Sequence, residues 1–128
     1  VSYIGSSDTT ITGSRNGHSP LFLWYALRKL GVEGLKERVA KSRNMAEYAL
    51  ERFRANNIPA WKNPNAITVV LPPQSKAVAS KWQLATEGDL SHIICMPNVT
   101  KDQIDDLIKD ILNSKDEEPL ENEMYELY

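Results

Sequence analysis

The stretch Gly13-Ser14-Arg15-Asn16-Gly17-His18-Ser19-Pro20 sets two glycines, two hydroxyls, a cation and an imidazole side by side. Glycines let a backbone approach a ligand closely, and a helix N-terminus offers unpaired N–H groups. Ser19 and Pro20 are good N-cap and first-turn residues, so this loop reads as the entry to a helix. Two readings follow: an anion-binding loop, or a tight loop that only caps a buried helix. Asp8, Ser14 and His18 are the residue types of a hydrolase triad, but three members from one short loop rarely converge in space. No Gly-x-Ser-x-Gly elbow is present, and the Gly-Lys-Ser/Thr ending of a phosphate-binding Walker loop is absent. His92 lies in the run Leu90-Ser91-His92-Ile93-Ile94-Cys95-Met96. On a strand it shares a face with Leu90, Ile94 and Met96, while Ser91, Ile93 and Cys95 take the other. An imidazole on an apolar face is either a satisfied core or strand-end histidine, or a contact to a substrate. The lone Cys95 reads as a small buried apolar residue. Two His and one Cys without ligand spacing give no metal site.

The elements that must position these residues follow from periodicity. A first helix is expected from about Ser19 to Leu30, apolar nearly all round, with Gly31 at its C′ position and Val32 beyond it. Such a helix expects another domain or subunit against it. A second helix runs from about Glu33 to Asn56 on a stripe of Leu35, Val39, Ala46, Leu50 and Phe53, and stops before Pro59. Ala60-Trp61-Lys62 reads as a short edge strand. Ile67–Leu71 is a β-branched strand stopped by Pro72-Pro73, and Leu90–Met96 is a second strand stopped by Pro97. Between them, Ser75 to Thr86 reads as a helix closed near Gly88. The last helix announces itself with a Thr100/Gln103 capping box and a Val99/Ile104 staple. Its face of Ile104, Leu107, Ile108, Ile111 and Leu112 should contribute about 1.5–3 kcal/mol per large side chain buried. The expected class is mixed α/β: two helices, then strand–helix–strand–helix. Residues 1–18 form an entry loop, 19–114 a small domain and 115–128 an acidic tail.

Composition narrows the classes. The chain has 128 residues, 41% hydrophobic and 25% charged, with a net charge of −2. The tail 115–128 carries −5 of this, leaving +3 on the rest. No basic block points to nucleic acid, and the longest apolar run, Leu21–Leu27, is too short for a bilayer. The lone cysteine fits a reducing, cytoplasmic setting. The chain opens at Val1 and its first twelve residues hold no complete element, so it reads as part of something longer.

Several stretches together resemble one family. Gly13-Ser14-Arg15-Asn16-Gly17-His18 with Pro20-Leu21-Phe22-Leu23-Trp24-Tyr25-Ala26-Leu27 is similar to the C-terminal part of group II pyridoxal-phosphate decarboxylases, in the histidine and serine decarboxylase branch. So are Asn65–Val70, Lys81–Asp89 and His92–Thr100. The resemblance implies the small C-terminal domain of a fold-type I enzyme. It implies pyridoxal 5'-phosphate as cofactor, an amino-acid substrate and a homodimer with sites at the subunit interface. It places Ser14 on the cofactor phosphate of the neighbouring subunit, with Gly13 allowing close approach, and His92 near the substrate carboxylate. Histidine is the favoured substrate, with serine the alternative. The family's Schiff-base lysine follows Ser/Thr-x-His, and none of the nine lysines here has that context. No catalytic residue is therefore assigned in this chain, which alone should not decarboxylate anything. A non-catalytic interaction domain, built on the apolar first helix and the Met/Tyr-bearing tail, is the reading from another class.

Overall fold

The computed structural model describes residues 16–114. The loop positions Gly13 and Ser14 and the acidic tail 115–128 therefore lie outside the described residues, as does Asp8. The chain divides into two compact units, Val1–Lys36 and Glu37–Tyr128.

Helix α1 spans His18–Ala55 and is broken at Gly31, whose φ of 60° and ψ of −173° are not helical. Only glycine adopts this conformation without strain, so the expected helix end at Gly31 is real. The cap at the start differs from the sequence reading. Asn16 Oδ1 accepts hydrogen bonds from the backbone N–H of His18 (3.0 Å) and Ser19 (2.8 Å). It also accepts one from the Ser19 hydroxyl. Asn16 is thus the N-cap, and Ser19 stands inside the first turn.

The second unit is a three-stranded antiparallel sheet with helices on one face. β1 (Thr68–Leu71), β3 (Leu90–Ile94) and β2 (Ala85–Glu87) are ordered β1-β3-β2. Strand β2 is an addition to the expected pattern. The helix expected over Ser75–Thr86 is shorter: α2 is Lys76–Trp82, capped by Ser75 and ended by Gln83 in the left-handed region (φ 50°). Gly88 (φ 53°) serves the two-residue turn between β2 and β3 rather than a helix end. Trp61 forms an isolated bridge to Val70, with backbone hydrogen bonds of 3.1 and 2.8 Å, so the Ala60–Lys62 strand is reduced to one pairing.

The core lies on the inner sheet face. Val69, Leu71 and Cys95 join Ala46, Ala49 and Phe53 of α1, Val78 of α2, and Ile104, Leu107, Ile108 and Ile111 of α3 (Lys101–Asn113). The buried stripe of α1 is Ser42, Ala46, Ala49 and Phe53, whereas the expected Leu35 and Val39 are exposed. Helix α3 matches its sequence signature. Thr100 Oγ1 accepts from Gln103 N–H, and Gln103 Oε1 accepts from Thr100 N–H at 2.9 Å. Two carboxylates tie α3 to the other helices. Asp105 accepts from Tyr48 Oη and Arg52 Nε of α1, both at 2.8 Å. Asp110 accepts from Trp82 Nε1 of α2 and pairs with Lys81, both at 2.7 Å.

Candidate functional site

The sheet register decides where His92 points. β1 and β3 pair with Val70 opposite His92, and β2 and β3 pair with Ala85 opposite His92. Directly opposed residues of antiparallel strands project to the same face. With the Trp61 bridge, the sheet therefore carries a transverse row, Trp61–Val70–His92–Ala85, on the face away from the helices. Leu90, Ile94 and Met96 flank it along β3 and are each 49% exposed, and Trp61 is 47% exposed. Inner-face neighbours Ser91 and Cys95 are fully buried. The parity expected from sequence thus holds.

His92 is half-buried on this outer face, and its imidazole has no hydrogen bond or ion pair among the described residues. A satisfied core histidine is ruled out by that placement. The imidazole is a donor and acceptor held on a rigid strand within a largely apolar row. It suits one oriented hydrogen bond to a ligand. Trp61 shares this row with His92, which sequence reasoning did not bring out. Its signal was the alternation into a bridge, which acquires meaning only through the register with Val70.

The other candidates separate cleanly. Cys95 faces the core, and burial pushes its thiol up to about 11, so it stays protonated and unreactive near neutral pH. The cavity of about 150 Å³ beside it is lined by Trp82, Leu84, Ile93, Ile104 and other apolar side chains, with Gln103 the one amide. It holds no acid, base or nucleophile suited to catalysis. No group of metal-ligating side chains occurs among the described residues. The first-turn amides of His18 and Ser19 are engaged by Asn16, so they are not offered to an anion. The described residues neither bring Ser14 and His92 together nor hold them apart, because Ser14 lies outside them.

Comparison with known proteins fixes the relationship. No protein-family model matches the chain. It is 48% identical over 113 residues to histidine decarboxylase of Mesorhizobium japonicum, covering 88% of this chain and 30% of that protein. It is 40% identical over 116 residues to serine decarboxylase 3 of Oryza sativa, covering 90% of this chain and 26% of that protein. The chain matches the C-terminal portion of the histidine and serine decarboxylases. Among solved structures, L-methionine decarboxylase from Streptomyces superposes with a TM-score of 0.72 at 30% identity, over 87% of this chain and 24% of that one. These relatives are named as decarboxylases of amino acids, and the chain spans less than a third of the length of each. The fold agrees with a small C-terminal decarboxylase domain: mixed α/β, with helices against one face of a small antiparallel sheet. No helix among the described residues is long and apolar enough to cross a membrane.

Proposed function

We propose that this chain is the C-terminal part of a homodimeric decarboxylase that converts L-histidine to histamine and CO₂. The observation that carries the reading is the outward placement of His92 in the Trp61–Val70–His92–Ala85 row. Identity of 48% to a histidine decarboxylase, against 40% to a serine decarboxylase, favours histidine as the substrate.

Each residue has a physical task. The His92 imidazole donates one hydrogen bond to the substrate carboxylate and orients it. That contact is weaker than a bidentate arginine pair. Weak holding suits a group that departs as neutral CO₂, because strong ground-state binding would raise the barrier. Trp61, Val70 and Ile94 give the carboxylate an apolar surrounding, which disfavours the charged reactant more than the neutral product. The Ser14 hydroxyl, with Gly13 allowing close backbone approach, holds the cofactor phosphate from across the dimer. Pyridoxal phosphate supplies the electron sink when bound, and its anchoring lysine belongs to the part of the protein upstream of this chain.

The test is to incubate the complete protein with L-histidine and with L-serine, and to measure CO₂ and amine. Histamine is the expected product. Ethanolamine would move the assignment to the serine branch. Release of neither amine would remove both substrate assignments.

A further inference from the structure

Leu21, Phe22, Leu23, Trp24, Tyr25 and Leu27 are consecutive but for Ala26, and each is 47–66% exposed. Successive helical side chains are about 100° apart, so Leu21, Phe22, Leu23 and Trp24 point in four directions around the axis. A helix lying on one surface, or paired with one other helix, buries a stripe of little more than about 100°. No single flat contact can cover this segment. The apolar stretch is also bounded. The continuous apolar run ends at Arg28: beyond it Leu30, Val32 and Leu35 are interspersed with charged residues, with Lys29 over the Tyr25 ring and a Glu33–Lys36 ion pair. Seven residues at about 1.5 Å rise make an apolar plug of about 10 Å.

We infer that residues 21–27 are a plug that seats in an apolar socket, and that the socket is formed by the upstream body of the same polypeptide. This rests on the reading of the chain as the C-terminal portion of a longer decarboxylase. Two observations favour that occupant over a second copy of the helix. The plug needs cover on all sides. The relatives also carry more than two-thirds of their length outside the region matched here, all of it available to enclose a segment near its junction. Covalent connection makes such seating intramolecular, at high effective concentration.

The experiment is a single-cysteine scan in the complete, cofactor-free protein: Leu21→Cys, Phe22→Cys, Leu23→Cys and Trp24→Cys. Maleimide labelling of each site is mapped by mass, with the same protein unfolded in urea as reference. The two leucine variants remove the least volume, and Leu21→Cys and Leu23→Cys are each informative alone. All four sites should label roughly 100-fold more slowly than in urea, and dilution should not change this. A site labelling at its urea rate would show a one-sided contact and overturn the socket. Protection lost on dilution would assign the segment to a second copy and overturn it equally. Labelling needs no activity. Protected sites in a protein that makes no amine would refute the substrate reading alone, and labelled sites in an active enzyme would refute the socket alone.

Discussion

His92→Ala in the complete protein should separate catalysis from folding. The imidazole stands on the outer sheet face with no hydrogen bond or ion pair among the described residues. Its loss opens no core cavity, so stability should change by no more than about 0.5 kcal/mol. A hydrogen bond to a charged carboxylate contributes about 1.5–3 kcal/mol, so kcat/KM for histidine should fall roughly 10- to 150-fold. Leu71→Ala is the counterpart. Leu71 is 1% exposed on the inner face, opposite Ser91, and its truncation should cost about 2–5 kcal/mol of stability. The folded fraction should keep its kcat/KM. Thermal melting and steady-state amine release, measured on both variants, give a crossed pattern. Wild-type kcat/KM in His92→Ala would refute the assignment. A His92→Ala loss accompanied by a fall in Tm like that of Leu71→Ala would show that His92 is structural.

Three further outcomes are expected. Ser14→Ala in the complete protein should weaken cofactor binding by roughly 10- to 100-fold, the worth of one hydrogen bond to a charged phosphate, and fluorescence titration with pyridoxal phosphate checks it. Unchanged affinity removes Ser14 from the site. Arg52 and Tyr48 hold the Asp105 carboxyl below its usual range, and Lys81 and Trp82 do the same for Asp110. A depressed carboxyl stabilises fully above the unfolded value near about 3.9 and loses that contribution as pH falls through its lower folded value. Melting temperature should therefore drop steeply below about pH 4, and Asp105→Asn should flatten that drop. An unaltered acid profile would rule out the linkage. Gly31→Ala should destabilise by about 1–3 kcal/mol through its backbone conformation alone, since nothing lies within 4 Å of the added Cβ. Gly17→Ala, at an equally open position without positive φ, is the control. Equal melting of the two variants would contradict the break in α1.

Much of this was legible before the structure. Local chemistry showed most clearly. The Thr100/Gln103 box needs only neighbours in sequence, and Gly31 needs only its own backbone. Strand parity around His92 followed from the two-residue period. What could not be read depended on distant partners. The true cap, Asn16, competes with Ser19 for the same role, and its acceptor simply reaches two amides earlier in the helix. Helix α2 is shorter than its sequence suggests because Gln83, not a glycine, adopts the left-handed cap. Strand β2 was hidden inside that extension, although Gly88-Asp89 is a fair two-residue turn signal. Leu35 and Val39 satisfied a helical period yet stand exposed, while the smaller Ser42 and Ala49 are buried. The row from Trp61 to Ala85 needed the register of four backbone segments, which no local pattern contains.

The turn at Gly88-Asp89 has a consequence beyond closing a hairpin. Its length fixes the phase of β3, because Glu87 opposite Leu90 sets every pairing that follows. A one-residue slip of β3 would reverse that phase. His92 would then be driven among Phe53, Val69 and Leu71, and Ile93 would take its place outside. Core and site are thus two readings of a single parity. The strand cannot bury Ser91, Ile93 and Cys95 without presenting the imidazole. Hydrophobic burial, which selects folds without regard to chemistry, here acts as the proofreader of the site's orientation.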